Sequence, residues 1–142
     1  MVTRAGVPCV RRSRLPAEAP RAGGAILLDT MGELSGLYAA ASVVFVGGSL
    51  IAHGGQNILE PAAVGRPVIH GPHMGNFAEM RDLFREAAAA VEVADGRGLT
   101  EALGSLLDDP VRADRMGEAG RAIVEAQRGA TQRTADLVGA LL

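Results

Sequence analysis

Residues 45–77 read FVGGSLIAHGGQNILEPAAVGRPVIHGPHMGNF, and the order of residue types in this stretch decides the fold. Val43-Val44-Phe45-Val46 is a β-branched and aromatic run that Gly47-Gly48 stops. Gly54-Gly55-Gln56-Asn57 then leads into Ile58-Leu59-Glu60-Pro61-Ala62-Ala63-Val64, a helical segment ended by Gly65. Strand, glycine loop and helix start follow one another. Glycine has no Cβ, so its backbone N–H can approach an anion closely, and the unpaired N–H groups and positive dipole end of the following helix add attraction. The stretch predicts a negatively charged ligand.

On either side the same alternation continues. Apolar runs at 7–10, 25–28, 43–46 and 67–70, with a weaker one at 89–93, read as strands. Helical patterns at 31–41, 58–64, 77–87, 99–107, 111–126 and 130–141 separate or follow them. The result is an α/β fold, a Rossmann-like parallel sheet flanked by helices, and the unbroken apolar character of the runs predicts strands covered on both faces. Residues 13–24, SRLPAEAPRAGG, lack an apolar stripe and predict a surface loop. Thr3-Arg4-Ala5-Gly6 resembles the last turn of a helix with a glycine cap, as if the chain opened inside a domain.

A length of 142 residues predicts one domain. All 14 basic residues are Arg, so a P-loop lysine, a Schiff-base lysine and any lysine base are excluded, and arginine must carry every cationic role. A net charge of -2, with three Phe, one Tyr and no Trp, argues against nucleic-acid partners. Positive charge does gather at Arg4, Arg11, Arg12, Arg14 and Arg21, opposed there only by Glu18. Cys9, the sole cysteine, excludes an intrachain disulfide and reads as a small core residue. No apolar run approaches the roughly 20 residues of a membrane span and no signal segment opens the chain, so it reads as cytoplasmic.

Several motifs carry two readings. Thr30-Met31-Gly32-Glu33 matches the T-x-x-E capping box, and it also falls at the carboxyl end of a parallel strand, where open α/β sheets bind ligands. Asn57 and Glu60 repeat the capping pattern, yet four glycines precede them, more than a cap needs, and Glu60 can accept from ribose hydroxyls. His53, His70 and His73 could form a metal site, but Pro72 breaks any helix aligning the last two, which favours hydrogen-bonding histidines lining a cleft and no metal. Asn76 reads as a helix cap or, with His73, as a ligand contact, and Arg11-Arg12-Ser13 as a solvated basic loop or a phosphate support. Asp108-Asp109 read as surface residues. Asp29 at a strand end suggests a dinucleotide-dependent oxidoreductase, but residues 9–20 contain no glycine and so no dinucleotide fingerprint.

These residues resemble the C-terminal half of the 3-deoxy-D-manno-octulosonic acid (Kdo) transferases. The likeness rests on Arg11-Arg12-Ser13, on LLDTMGELSGLYAAASVVFVGGSL at 27–50, HGGQNILEPAAVGRPV at 53–68, GPHMGNF at 71–77 and MGEAGRAIVEAQRGATQRT at 116–134. Position 56 departs from the family, which commonly has His where this chain has Gln56. The resemblance implies a GT-B glycosyltransferase, two Rossmann-like halves with a cleft between them, whose C-terminal half holds the CMP part of CMP-Kdo. On this chain Gly54, Gly55, Gln56 and Asn57 would cradle phosphate, Glu60 would contact ribose, and Met31, Gly32 and Glu33 would approach cytosine. Arg12 or Ser13 would support phosphate, and Gly48 and Ser49 would belong to the donor site, with Ser49 at the cleft mouth.

The same likeness implies no metal and no cofactor, helix-end amides and cationic side chains stabilising the leaving nucleotide instead. It implies an acceptor, a lipid A precursor at the cytoplasmic face of the bacterial inner membrane, bound with the catalytic base by an N-terminal half that this chain does not match. It further implies an N-terminally truncated domain lacking the first strand and helix of the C-terminal half. That leaves a gap between the strands at 7–10 and 43–46 that a partner chain could fill, and little or no transfer by the chain alone. The alternative is a non-catalytic nucleotide-binding module or one subunit of a split glycosyltransferase.

Overall fold

The computed structural model describes residues 6–15 and 23–128. The chain divides into two compact units, Met1–Leu37 and Tyr38–Leu142. Five short parallel strands and five helices are described, so the α/β reading holds. The strands form two ladders, and no pairing among the described residues joins them. The expected helix at 130–141 and the turn at 3–5 lie outside the described residues.

In the first unit, β1 (Cys9–Arg11) pairs in parallel with β2 (Ala25–Leu27), Val10 opposite Ile26. Every residue of β1 is exposed, and so are Ile26 and Leu27. The expectation of strands covered on both faces fails here, because among the described residues of this unit no helix packs over these two strands. Cys9, expected in the core, is exposed for the same reason. Helix α1 (Leu34–Tyr38), which carries the division between the units, is shorter than expected. Residues 30–32 bend instead, with Gly32 at φ +82°, and the helix starts only after them.

The second unit has the order β3 (Val44–Phe45), β4 (Val68–His70), β5 (Ala90–Glu92), all parallel, with Val44 opposite Val68 and Val68 opposite Ala90. The central strand β4 is wholly buried. Alternation along it sends Val68 into a cluster with Val46, Ile58, Ala62, Met74 and Phe84, and Ile69 into a second cluster with Val93, Leu106, Ala113 and Met116. These clusters are the two faces of the sheet. Helices α2 (Leu59–Ala63) and α3 (Ala78–Glu86) serve the first and α4 (Gly96–Asp108) the second. Helix α5 (Pro110–Gln127) contributes to both, Ala113 and Met116 to one and Ala119, Ile123 and Val124 to the other.

Local chemistry fixes the boundaries. Helix α4 begins earlier than the apolar pattern suggests because the Asp95 carboxylate accepts the Gly98 N–H at 2.8 Å. Asp109, read as a surface residue, caps α5 by accepting the Arg112 N–H at 3.0 Å, with Pro110 at the first helical position. Asn76 does not cap α3. It lies in a short 3-10 turn, Gly75–Phe77, and packs elsewhere. One close approach holds the unit's helices together: a Cβ on Gly117 of α5 would strike the carbonyl oxygen of Gly65, so the two backbones are in direct contact.

Candidate nucleotide-binding site

The loop between β3 and α2 is a glycine turn. Gly48, Gly54 and Gly55 have φ of +73°, +89° and +72°, the left-handed region that side chains with a Cβ avoid. Two of these positions are also sterically closed. A Cβ on Gly54 would fall 2.6 Å from the Asn76 amide nitrogen, and one on Gly55 would strike the Met74 sulfur. Asn76 donates its backbone N–H to the Gly54 carbonyl at 3.1 Å. The turn after β4 therefore clamps the glycine turn after β3, a role for Met74 and Asn76 that capping logic misses.

Ser49 ties the same two turns together from beneath. Its hydroxyl donates to the Val46 carbonyl at 2.5 Å and accepts the Gly71 N–H at 2.8 Å, and its carbonyl accepts the His73 N–H at 2.9 Å. Ser49 is fully buried, which corrects its expected place at a cleft mouth: its hydroxyl and carbonyl are spent on the scaffold. His70 is likewise buried in β4 rather than lining a cleft, its Nδ1–H donating to the Gly71 carbonyl at 2.8 Å. His53 and His73 are exposed.

This bracing leaves the backbone N–H groups of residues 54–57 without an acceptor among the described residues. These four successive donors stand beside two left-handed glycines, a backbone pattern of the kind from which anion-binding nests are built. Helix α2 has only five residues, so its own dipole is small. Asn57 caps α2 as expected, its side-chain oxygen accepting the Leu59 N–H at 3.0 Å with Ile58 already helical in φ and ψ, while its amide nitrogen donates to Glu60 Oε1 at 3.1 Å. Asn57 thus aims the Glu60 carboxylate, which is exposed and keeps its second oxygen for another donor. Gln56 is exposed beside it. Tyr38, half-buried, has its phenol pushed above the ordinary tyrosine value by desolvation and by the negative charge of Glu60.

The first unit carries a separate polar net. Arg12 Nη2 donates to Glu33 Oε1 at 3.1 Å, and Thr30 Oγ1 donates to Glu33 Oε2 at 2.5 Å. The capping box is therefore not made as expected: Thr30 and Glu33 bond each other, ahead of α1. Asp29 accepts the Ser13 backbone N–H at 3.0 Å and the Ser13 hydroxyl at 2.8 Å, with Arg11 3.5 Å away. Those Ser13 bonds, helped by Arg11, hold the Asp29 carboxyl below its usual range against the opposing effect of desolvation. Asp29 is a strut for the Arg12–Ser13 turn rather than a free ribose ligand. Met31 stands 97% exposed in the bend beside Gly32.

The family model for glycosyl transferase-like proteins matches residues 33–139. The chain belongs to this family. Its C-terminal portion, from Glu33 onward, includes the whole glycine turn and its clamp. A 3-deoxy-D-manno-octulosonic acid transferase of Bordetella pertussis is 42% identical over 132 residues, covering 93% of this chain and 31% of that protein. One from Haemophilus influenzae is 42% identical over 114 residues, covering 80% and 27%. The C-terminal CMP-Kdo binding domain of WaaA from Acinetobacter baumannii superposes with a TM-score of 0.78 at 30% identity, covering 89% of this chain and 64% of that one. The resemblance read from the motifs is thereby established. The chain spans about 30% of the length of these curated relatives.

Proposed function

We propose that this chain is the donor-binding portion of a Kdo transferase and that it holds CMP-Kdo. The observation that carries the reading is the likeness of 89% of the chain to a CMP-Kdo binding domain. The run of unpaired amides at 54–57 lends it chemical sense. The donor's phosphate sits on the N–H groups of Gly54, Gly55, Gln56 and Asn57, and Glu60, held by Asn57, accepts from the ribose hydroxyls. Gly48 supports the turn. Within the first unit, Arg12 keeps guanidinium donors that Glu33 leaves free, with Ser13 holding its turn.

Transfer of the sugar leaves CMP with additional negative charge on its phosphate. Preorganised amides facing that phosphate stabilise the charge as it develops, which is where an enzyme gains rate. The acceptor, a lipid A precursor at the cytoplasmic face of the inner membrane, and the catalytic base belong to residues outside the 142 of this chain. Among the described residues no helix is long and apolar enough to cross a membrane. The 142 residues alone bind donor nucleotide, do not transfer, and take a partner chain to complete the sheet.

Calorimetric titration with CMP, and with UMP as comparator, tests this. Selective CMP binding is expected, weakened about tenfold or more in Glu60→Ala through loss of a charged hydrogen bond. A folded chain that ignores CMP, or that binds it equally well without Glu60, would overturn the assignment. A transfer assay with CMP-Kdo and lipid A precursor is expected to give no turnover by the chain alone.

A further inference from the structure

A groove of about 510 Å³ lies between β5 and α5 on the second unit, lined among others by Ala87, Ala88, Ala90, Glu92, Arg112 and Arg115. Strand β5 ends the three-stranded ladder, with β4 on one side and no partner on the other among the described residues. Val93 donates its N–H to His70 of β4 at 2.8 Å, so by the alternation of a strand Val91 also faces β4 while Ala90 and Glu92 point their N–H and C=O groups to the open edge. Natural edges are blunted by shortness, charge, proline, a bulge or a covering element. This one is three residues long with Glu92 as its one charge, has no proline, and its approach is paved with alanine.

The charges in the groove are of both signs. Arg112 is engaged by the neutral Ser105 hydroxyl at 2.7 Å, and neither Arg115 nor Glu92 has an ion-pair partner among the described residues. A uniformly acidic or basic segment laid along the edge would set one of these charges against its like. The groove's own complement is the groove itself.

We propose that a second copy of this chain adds across β5 by antiparallel pairing about a two-fold axis at Val91. Ala90 then faces Glu92 of the partner copy and exchanges both backbone hydrogen bonds with it, and the reciprocal pair does the same. Val91 meets its counterpart in the closely spaced, non-hydrogen-bonded position. Glu92 of each copy enters the groove where Arg112 and Arg115 of the other stand. One patch serves both sides, as a two-fold interface requires.

Sedimentation equilibrium of the full 142-residue chain over a concentration series is expected to show a monomer–dimer equilibrium. Arg115→Glu and Glu92→Arg should each weaken it at least about tenfold, and the double reversal should restore it, since the attraction is reciprocal. In a Cys9→Ser background, Val91→Cys should form an intermolecular disulfide on mild oxidation while Leu107→Cys does not, because only position 91 meets itself across the axis. Circular dichroism of each variant establishes that it is folded. A chain that stays monomeric throughout, a dimer indifferent to the single reversals, or a double reversal that fails to restore association would overturn the proposal.

Discussion

Strand β2 reads Ala-Ile-Leu and strand β4 reads Val-Ile-His; the first is the more apolar, yet β4 is buried at every position and β2 is exposed at two of three. Ile26 keeps 63% of its surface and Ile69 keeps none. The contrast shows that burial belongs to the layers laid over a strand rather than to its residues. In the second unit α2, α3, α4 and α5 cover both faces of β4, whereas the first unit holds itself together with a polar net of Arg12, Ser13, Asp29, Thr30 and Glu33.

The sharpest way to break this contrast is in the backbone contacts of the second unit. Gly71→Ala would drive its Cβ into the Ser49 carbonyl, and the expected loss is about 3 kcal/mol or more in urea unfolding, because neither side of the contact is a flexible side chain. Phe84→Ala should cost about 3–5 kcal/mol, whereas Ile26→Ala should cost less than about 1 kcal/mol. Equal costs at the two positions would mean that the first unit is covered in solution. Asn57→Ala should cost about 1 kcal/mol by freeing the Leu59 N–H, and should also loosen Glu60, which nucleotide titration would register separately.

Two titrations refine the comparison with smaller effects. The folded pKa of Asp29 is depressed, so the stabilisation it lends the Ser13 turn is present above the ordinary carboxylate range and disappears as pH falls through its folded value. Amide exchange at Ser13 should therefore accelerate in acid, and Asp29→Asn should flatten that dependence. Tyr38 has a raised pKa, so its contribution is complete below the ordinary tyrosine value and declines as pH rises through the folded one. It is the chain's only tyrosine, so phenolate absorbance reads it directly, and Glu60→Gln should bring the midpoint part of the way down.

Much of this was legible in the chain. Five apolar runs became five parallel strands, each within a residue or two of its expected place, because β-branched residues between glycine turns have little alternative. The glycine turn and Asn57–Glu60 were visible because left-handed backbone and a short amide leave a local signature. The misplaced features depend on partners distant in sequence. Ser49 is expected at a cleft mouth, but the Gly71 N–H, 22 residues on, donates to its buried hydroxyl. Asn76 reads as a cap, but its backbone N–H is given to Gly54, 22 residues earlier, and Cys9 reads as core, but it is exposed among the described residues. An acid at a strand end following Arg-Arg-Ser was the one available hint of the Asp29 strut.

The contact between Gly65 and Gly117 has a consequence for anyone recombining members of this family. Gly117 cannot accept a side chain unless the Gly65 backbone moves, and Gly65, at φ +69°, sits in the left-handed region that a Cβ disfavours, so the turn after α2 and helix α5 are inherited as a matched pair. A chimera joined anywhere between them mates two surfaces shaped in different proteins. Crossovers placed before α2 or after α5 leave the pair intact.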